Sequence, residues 1–524
     1  MKPTLLILLL CMGMIQSSPA QQFFNKRDAL HSYASIVTGV VAKDNRYYCS
    51  AVVVDSINST IVWGNKFLVF DSQGNKIIDS LYQLHDRYIF SWNNSFQSIS
   101  GRGFLLVAES MDTAQNYAMI IRYDSIGNVL MAKEIAKPFC TYHEWYKVID
   151  IKPADNNQWV MLSKIVCEMN PWGNLQHDIV LTKLDSNFNV IWHKQHGSNT
   201  MDDGGWKLLI EPDGYLVAGG RHNITQVDKN FSFRALLLKL DTAGIMKWLW
   251  LSNPSKKTFE AKDVIRTRDG GYIYCGAGDG YELLSANQTY GIPKFRGWVE
   301  KLDSNRNVVW SRAFNDLYDM STEFKRVIEA PDGRIHLFGN KFARDSLGND
   351  VWNLHHRGWF MTLSADGDSL RERTYYNINT CADRNWFHDA EATDDGGFMM
   401  VGEAVDECFG AVAPIQRGWL VKVDSNGCLG PGDPQCWPTD VPHTPVNEMV
   451  SVYPNPVRDS WYISNKESKK LEIIITDITG RTILQKQASS TLIQTDMSHY
   501  PPGMYLYRIT SNRGILLQGK LLKQ

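Results

Sequence analysis

The chain lacks the short motifs that mark the commonest enzymes and metalloproteins. It has no paired Cys-x-x-Cys spacing, which excludes the usual zinc sites. It also has no Gly-x-Ser-x-Gly elbow, no His-Glu-x-x-His motif and no phosphate-binding loop. These absences remove the frequent signatures of hydrolases, metalloproteases and nucleotide-binding proteins, and no cofactor is predicted.

An excess of one charge and long apolar runs are also missing. With 54 Lys and Arg against 56 Asp and Glu, the net charge of −2 gives no reason to expect nucleic acid or an acidic membrane surface as partner. The one strongly apolar run, Leu5 to Met14, follows Lys2 and precedes Ser18-Pro19-Ala20, which is the pattern of a signal peptide over residues 1–20. The run is too short to span a bilayer, and no later run is long enough, so no transmembrane segment is predicted.

Cysteine is sparse, and its nine copies include Cys11 in the signal segment. Export permits disulfides, and spacing alone cannot establish their connectivity. Three pairs are close enough in sequence to close local loops: Cys140 with Cys167, Cys381 with Cys408, and Cys428 with Cys436. Cys275 lies in an apolar run and is predicted to be a buried thiol.

An internal repeat is the dominant feature that is present. A polar turn recurs at steps of 53, 61, 56, 62, 61 and 60 residues, led by Asp71, Asp124, Asp185, Asp241, Asp303, Ser364 and Asp424. A turn of the Asp-Gly type precedes it in the later units, for example at Asp269-Gly270. Each unit therefore contains four candidate strands: one on each side of the Asp-Gly turn, one ending in Lys-Leu-Asp and one ending at Trp.

Seven units of four strands predict an all-β fold, a seven-bladed β-propeller over residues 21–429. A β-solenoid is the alternative, although solenoid repeats are usually shorter. The seventh unit lacks its fourth strand, and we predict that the N-terminal stretch Gln22 to Asn25 supplies it. Proline and glycine then mark a linker at 430–449. The body resembles bacterial secreted propellers with Lys-Leu-Asp-Ser turns.

Residues 450–524 have a different pattern, that of a small β-sandwich of immunoglobulin-like type. They contain ten Lys or Arg and five Asp or Glu, so this segment is basic on a nearly neutral chain. Its most distinctive residues lie at its opening, in its two inner turns and at its end: Tyr453, Pro454, Asn455, Pro456, Gly480, Gly503, Tyr505, Lys520 and Lys523. On these residues the segment resembles the type A C-terminal sorting domain of the type IX secretion system.

The resemblance implies an export route. The signal peptide would deliver the chain to the periplasm, and the sorting domain would dock on the outer-membrane translocon. The protein would then be released or displayed on the cell surface. The structural alternative is an ordinary accessory sandwich domain.

The innermost strand of each blade lines the channel of a propeller, so we aligned the units on their Asp-Gly turns to find channel residues. Reading six residues upstream gives Thr38, Ser95, Asp150, Lys207, Asp263, Arg326 and Asp389. The five charged residues are the candidate ligand-binding group at the channel mouth. The alternative, which we favour, is a set of charges that satisfy one another.

Arg-Gly-Trp recurs at Trp298, Trp359 and Trp419. These rings could bind glycans by stacking, but packing between blades is favoured, with glycine allowing close approach. Oxygen-rich turns such as Asp71 to Asn75 could hold a structural calcium, although hairpin turns explain them better. His355-His356 lacks further ligands, so no metal site is predicted.

Two functions remain open for the exported propeller. The first is a non-catalytic protein that binds a polysaccharide, peptide or protein. The second is an extracellular glycan hydrolase or lyase that uses channel carboxylates such as Asp263 and Asp389. The sequence does not reveal the separation of these carboxylates.

Overall fold

The computed structural model describes residues 22–28, 34–57, 60–84, 87–91, 95–99, 103–112, 116–138, 146–169, 175–197, 201–223, 232–253, 258–278, 296–314, 322–346, 352–380, 382–407, 416–430, 433, 450–466, 468–477, 480–511 and 514–524. The chain divides into two compact units, Met1–Gly430 and Pro431–Gln524. The predicted signal peptide, residues 1–20, lies outside the described residues, as does most of the predicted linker. In the described part of the chain, no helix is long and apolar enough to cross a membrane.

The first unit is a seven-bladed β-propeller of antiparallel sheets, which confirms the predicted fold. Its first strand is β1 (Phe24–Asp28). Blade 1 contains β2 (Ala34–Lys43), β3 (Arg46–Ile57), β4 (Thr60–Phe70) and β5 (Lys76–Tyr82). Blade 2 contains β6 (Tyr88–Phe90) and β7 (Phe96–Ile99), which share the innermost position, then β8 (Gly103–Met111), β9 (Asn116–Tyr123) and β10 (Val129–Ile135).

The next three blades follow the same order from the innermost strand outward. Blade 3 contains β11 (Tyr146–Pro153), β12 (Trp159–Met169), β13 (Leu175–Leu184) and β14 (Val190–His196), with a short 3-10 turn at Asp155–Asn157. Blade 4 contains β15 (Asp202–Glu211), β16 (Gly214–Asn223), β17 (Ser232–Leu240) and β18 (Met246–Leu251). Blade 5 contains β19 (Thr258–Arg266), β20 (Tyr272–Gly278), β21 (Arg296–Leu302) and β22 (Val308–Phe314).

The last two blades are joined into one sheet by a short parallel pairing. Blade 6 contains β23 (Glu323–Glu329), β24 (Ile335–Ser346), β25 (Trp352–Leu363) and β26 (Ser369–Tyr375). Blade 7 contains β27 (Ala382–Ala392), β28 (Phe398–Asp406) and β29 (Arg417–Val423). The end of blade 6 that carries Leu354 to His356 in β25 pairs in parallel with Ala382 to Arg384 in β27.

The N-terminal strand closes the ring, as predicted. β1 pairs antiparallel with β29 and so supplies the fourth strand of blade 7, with Phe24 opposite Lys422. Phe24 is buried against Tyr47 of blade 1, and the two ring centroids are 5.9 Å apart. The indole N–H of Trp419 donates a hydrogen bond of 2.8 Å to Asn25 Oδ1. A strand from the start of the chain therefore ties the last blade to the first.

The hydrophobic core is divided among the junctions between blades. Seven clusters of buried residues each combine side chains from two neighbouring blades. Because both faces of a blade are covered, a middle strand is apolar throughout instead of alternating, and every residue of β20 is buried. Apolar burial is the main favourable contribution to folding, so each blade depends on its two neighbours.

The Arg-Gly-Trp segments belong to this packing, as favoured above. Trp359 and Trp419 are fully buried, and Trp298 is nearly so. The Trp359 ring stacks on Phe324 at 4.2 Å between centroids. A Cβ added to Gly297 would lie 2.5 Å from the Trp359 ring, so the glycine is what lets the next blade approach. The glycan-stacking alternative requires exposed rings and is therefore wrong for these tryptophans.

The oxygen-rich turns use their carboxylates on their own main chain. Asp71 Oδ1 accepts from the N–H groups of Gln73 at 2.9 Å and Asn75 at 2.8 Å, while Gly74 has a φ of +73°. This is the local chemistry of an Asp-led turn with a left-handed glycine. Among the described residues, no group of three or more His, Cys, Asp and Glu is placed to hold a metal ion.

The second unit is a small β-sandwich. One sheet contains β30 (Val450–Tyr453), β31 (Ser460–Asn465) and β34 (Leu492–Asp496). The other contains β32 (Leu471–Asp477), β33 (Thr482–Ala488), β35 (Gly503–Ser511) and β36 (Gly514–Lys523). Alternating strands such as β32 bury one side around Trp461, which is fully buried.

The opening and the end of this second unit bind each other. Asn455 donates to the carbonyl of Lys520 at 2.8 Å and accepts from the N–H of Leu522 at 2.9 Å. The N–H of Val457 donates to the carbonyl of Leu522 at 2.7 Å, and the N–H of Gln524 donates to the carbonyl of Val457 at 2.9 Å. The two ends of the predicted sorting motif therefore form one structural element.

Candidate functional site

The five charged residues predicted for the channel lie at one level of the innermost strands in blades 3 to 7. We call Asp150, Lys207, Asp263, Arg326 and Asp389 the charge ring. Each aspartate accepts one main-chain hydrogen bond within its own blade and one from the next blade. The donors are Ile151 (2.8 Å) and Leu208 (3.2 Å) for Asp150, Val264 and Val327 (both 3.0 Å) for Asp263, and Ala390 (2.9 Å) and Val40 (3.0 Å) for Asp389. The three carboxylates thus join neighbouring blades.

The cations of the charge ring pair with these carboxylates. Arg326 Nε lies 2.6 Å from Asp389 Oδ1, and Lys207 Nζ lies 3.5 Å from Asp263 Oδ1. Burial lowers the pKa of Lys207, and the nearby guanidinium of Arg326 lowers it further. Burial would also lower the pKa of Arg326, but Asp389 and Asp263 outweigh it and raise that pKa. Charges that are buried but paired and hydrogen-bonded are the favoured alternative for this group, and the binding of a ligand by the ring stays a prediction.

One member of the aligned set is displaced by one residue. In blade 1 the strand register places Gly39 opposite Ser50 at the ring position, and Thr38 is the extra residue of a β-bulge. The assignment of Thr38 to the ring level was therefore wrong. The reason is the place of the aspartate in each turn: Asp44 is the first turn residue in blade 1, whereas Asp213 is the second in blade 4. Counting six residues back from the aspartate therefore ends one residue too early in blade 1. Ser95, in blade 2, precedes β7 and accepts at its carbonyl from the N–H of Val107.

The same kind of bulge recurs one residue before the ring position in five further blades. The bulged residues are Thr38, Ile149, Trp206, Lys262, Lys325 and His388. A bulge interrupts the alternation of a strand and re-aims the extra side chain. All six of these residues line one cavity of about 280 Å³, together with Ile36, Phe90, Ser91, Glu323 and Trp386. We call these eleven residues the channel pocket, and every blade contributes at least one of them.

On one side of the channel pocket, two lysines lie over the ring of Trp206. Lys262 Nζ lies 3.6 Å from the centre of the Trp206 ring, and Lys164 Nζ lies 4.8 Å from the same centre. Lys262 also forms an ion pair with Glu260. Cation–π contacts of this kind keep an ammonium group near an aromatic surface without neutralising its charge.

Blades 6 and 7 complete this polar side. Lys325 Nζ lies 3.3 Å from Glu323 Oε1 and 3.5 Å from His388 Nδ1. Burial lowers the pKa of His388, and the ammonium of Lys325 lowers it further. Burial alone would raise the pKa of Glu323, but Lys325 and Lys262 lower it overall. The described lining thus contains two lysines and one carboxylate, and Glu260 pairs with Lys262 from outside the lining.

The ring of Trp386 also borders this group of residues. Arg384 lies 4.9 Å and Lys325 lies 5.6 Å from the Trp386 ring centre. Trp386 therefore repeats in blade 7 the contact between cation and aromatic ring that Trp206 makes in blade 4.

The other side of the channel pocket is apolar and hydroxylic. Ile36 and Ile149 line it together with Phe90. Its two hydroxyl groups bond to each other, because Thr38 Oγ1 lies 3.0 Å from Ser91 Oγ. The cavity is thus amphipathic, with cations in blades 5 and 6 and apolar groups in blades 1 to 3.

Sequence reasoning found the charge ring but missed the channel pocket. The missed residues directly precede ring residues, as Lys262 precedes Asp263 and Lys325 precedes Arg326. Adjacent residues of a strand normally face opposite ways, so the alignment treated them as outward-facing. The available signal was the recurrence of large polar or aromatic residues at that position in blades 4 to 7.

Among the described cysteines, Cys275 is the buried thiol that was predicted, and Cys428 belongs to a disulfide. Cys275 is a buried free thiol, and burial followed by the charge of Asp263 raises its pKa. Cys49 is also buried and free. Cys428 is in a disulfide, whose partner lies outside the described side chains. The remaining members of the predicted pairs also lie there: Cys140, Cys167, Cys381, Cys408 and Cys436.

Comparison with protein families identifies the second unit. Residues 451–524 match the family described as the secretion system C-terminal sorting domain. This confirms the resemblance to the sorting domain of the type IX secretion system. The domain marks the chain for export by that machinery to the cell surface or the extracellular space.

Comparison with solved structures gives only remote similarities. The acylaminoacyl peptidase of Pyrococcus horikoshii is 12% identical, with 84% of this chain and 60% of that chain covered and a TM-score of 0.38. PorZ of Porphyromonas gingivalis, a surface component of the type IX secretion system, is 10% identical, with 93% and 86% covered and a TM-score of 0.17. Drosophila Plexin A, in complex with Semaphorin 1b, is 9% identical, with 75% and 88% covered and a TM-score of 0.35.

These values carry no argument about activity, because fold similarity alone does not establish function. The chain spans 60% of the length of the peptidase it matches. A comparison with curated proteins gave no match.

Proposed function

We propose that this exported protein is a binding protein whose propeller takes part of an extracellular polysaccharide, peptide or protein into the channel pocket. The observation that supports this proposal is the convergence of all seven blades on one cavity, through bulges in six innermost strands. Bulges are enriched beside functional sites, where they re-aim side chains. A concave site with an apolar lining and a few convergent polar groups is the usual form of a ligand site.

The charge ring supports this function without being the contact surface. Its carboxylates join neighbouring innermost strands one residue beyond the bulges. The pocket side chains are therefore held on a backbone that is cross-linked between blades. Such rigidity reduces the entropy lost when a ligand binds.

The hydrolase hypothesis has less support. Its two carboxylates, Asp263 and Asp389, each accept two main-chain hydrogen bonds and lie within 4 Å of Arg326. An acid or base that also worked on a substrate would have to give up these bonds. Glu323 is the one carboxylate that lines the channel pocket, and it pairs with Lys325. A glycosidase of the usual type needs two carboxyl groups at a defined separation.

The proposal is tested by filling the cavity. The full chain is screened on a glycan array and on an array of peptides, and bound probes are measured again with Ile36→Trp, which places a bulky ring in the channel pocket. The matched control is Val309→Trp on β22, where the side chain is 57% exposed. We expect Ile36→Trp to abolish binding and Val309→Trp to retain it. Binding that survives Ile36→Trp in a protein of normal melting temperature, or no binding by any probe, would contradict the proposal.

A further inference from the structure

The polar and apolar sides of the channel pocket indicate the chemistry of its ligand. We infer that the ligand group is a single carboxylate attached to a compact apolar body, as in the last residue of a polypeptide that ends in an aliphatic or aromatic side chain. This inference rests on the proposed function, since it names the ligand class of the same cavity. The argument has three steps: the cations, the occupied aromatic faces and the size of the cavity.

The cations select an anion. Lys262 and Lys325 come from adjacent blades at equivalent bulge positions, so their ammonium groups belong to one side of one cavity. Each lysine already has one carboxylate neighbour, Glu260 for Lys262 and Glu323 for Lys325, and these would repel a second negative charge on the ligand. One carboxylate is therefore favoured over a multiply charged group. Charge-assisted hydrogen bonds from lysine to a carboxylate are among the stronger polar contacts in proteins.

The aromatic rings of the channel pocket do not suit sugar stacking. Cations lie over both tryptophans, with Lys262 at 3.6 Å from the Trp206 centre and Arg384 at 4.9 Å from the Trp386 centre. A sugar that stacked on these rings would have to displace a cation–π contact. The hydroxyl groups of Thr38 and Ser91 already bond to each other. These observations favour a peptide end over a glycan.

The cavity also limits the apolar body. A volume of about 280 Å³ is just below the usual range for ligand pockets, roughly 300–1,000 Å³. Ile36, Ile149 and Phe90 form an apolar wall on the side away from the lysines. Such a site accepts one side chain and the carboxylate beside it, while the rest of the polypeptide leaves through the opening of the channel.

The test measures the binding of a fluorescein-labelled short peptide that ends in leucine with a free carboxylate, by fluorescence anisotropy with the full chain. The same peptide with a C-terminal amide removes the charge and keeps the shape. Unlabelled N-acetyl-leucine, a free carboxylic acid on an apolar body, competes to show whether a small molecule suffices. A glucuronic acid disaccharide provides an acidic sugar. We expect the free acid to bind at least about tenfold more tightly than the amide, and the disaccharide not to compete.

Two variants locate the contact. Lys262→Met and Lys325→Met remove the charges and retain the apolar length. Each should weaken the binding of the free-acid peptide at least about tenfold and leave the binding of the amide peptide unchanged. Lys247→Met is the control, because this lysine lies on β18, away from the channel, and its side chain is 41% exposed.

The outcomes separate the inference from the proposed function. If the disaccharide binds and Ile36→Trp abolishes its binding, the inference fails while the proposed function stands. If no probe depends on the channel pocket, both fail. If acid and amide bind equally, the carboxylate is not recognised and the inference is overturned. Competition by N-acetyl-leucine as strong as that of the peptide would assign the site to small carboxylic acids, whereas much weaker competition would assign it to polypeptide ends.

Discussion

The charge ring and the channel pocket come from adjacent residues of the same innermost strands. They differ in whether their polar atoms are already bound to other groups of the protein. In the charge ring, Asp263 and Asp389 each bind two main-chain N–H groups and contact Arg326. In the channel pocket, Lys325 has charged and aromatic neighbours but also borders an open cavity. Under the proposed function the charge ring acts as an internal brace, and the channel pocket is where a ligand has room. A charge in a channel is thus not by itself a binding site.

The largest loss of stability is expected from a variant that removes a carboxylate of the charge ring. Asp389→Ala removes one main-chain hydrogen bond within blade 7 and one from blade 1, and it leaves Arg326 without its nearest carboxylate. Removing one partner of a buried ion pair costs about 3–5 kcal/mol. We expect a loss of this size in the free energy of unfolding measured with denaturant. Asp366→Ala, in an exposed turn, is the control, and an equal loss in both variants would contradict the account of the ring.

Opening the ring of blades at its closing strand should have the next largest effect. Phe24→Ala removes a buried ring that packs between β1 and blade 1. Truncating a buried phenylalanine costs about 3 kcal/mol or more. The melting temperature should fall, whereas Ile77→Ala on the exposed side of β5 should change it little. A normal melting temperature for Phe24→Ala would show that β1 does not close the propeller in solution.

The next prediction concerns the pH dependence of stability. It involves a buried histidine, His336, that belongs to neither the charge ring nor the channel pocket. Burial, assisted by the charge of Arg334, lowers the pKa of His336 to about 4. Between pH 6.5 and pH 4 the imidazole of His336 is therefore protonated in the unfolded chain but not in the folded chain. The free energy of unfolding has its full value above pH 6.5 and falls as the pH drops towards 4. The loss should be about 2–3 kcal/mol. His336→Gln should flatten the pH dependence of unfolding by that amount, and an unchanged slope would refute the assignment.

The smallest losses of stability are expected at two adjacent residues of blade 1, one at the level of the charge ring and one in the channel pocket. A Cβ at Gly39 would lie 2.9 Å from Phe96 Cβ, so Gly39→Ala should cost about 1–3 kcal/mol by overpacking. Thr38→Val at the bulge loses the hydroxyl contacts with Ser91 (3.0 Å) and Ser50 (3.1 Å) and should cost about 1 kcal/mol. Chemical denaturation distinguishes the two, and the reverse order would show that the ring level in blade 1 is at Thr38 after all.

The fold could be read from the sequence because its signals are local. Asp71 and Gly74 make a turn by bonding and dihedral preference alone, and seven such turns at regular spacing define the blades. The missing fourth strand in the last unit likewise predicted the role of Phe24. The sorting domain was recognisable for a similar reason, because Asn455 and Lys520 lie in motifs at its two ends.

The channel pocket could not be read in the same way. A bulge depends on the register between two strands, and a shift of one residue moves a side chain to the other face. The pair Trp206-Lys207 gives no local sign of which member enters the cavity, and the Asp44 turn of blade 1 misplaced the alignment by one residue. The sequence also does not show that the carboxylate oxygens of Asp263 accept hydrogen bonds from the main-chain N–H groups of Val264 and Val327.

The most direct measurement uses the neighbours Lys325 and Arg326, which stand side by side in the chain and belong to different layers. Lys325→Met and Arg326→Met are compared for the free energy of unfolding and for anisotropy of the leucine-terminated peptide under conditions where both variants are folded. We predict that Lys325→Met loses binding and loses less stability than Arg326→Met, because its partner Glu323 is 32% exposed whereas Asp389 is 2% exposed. Arg326→Met should lose about 3–5 kcal/mol of stability and keep the affinity of its folded molecules. The opposite pattern, or equal loss of both properties in the two variants, would contradict the division of the channel into a brace and a binding site.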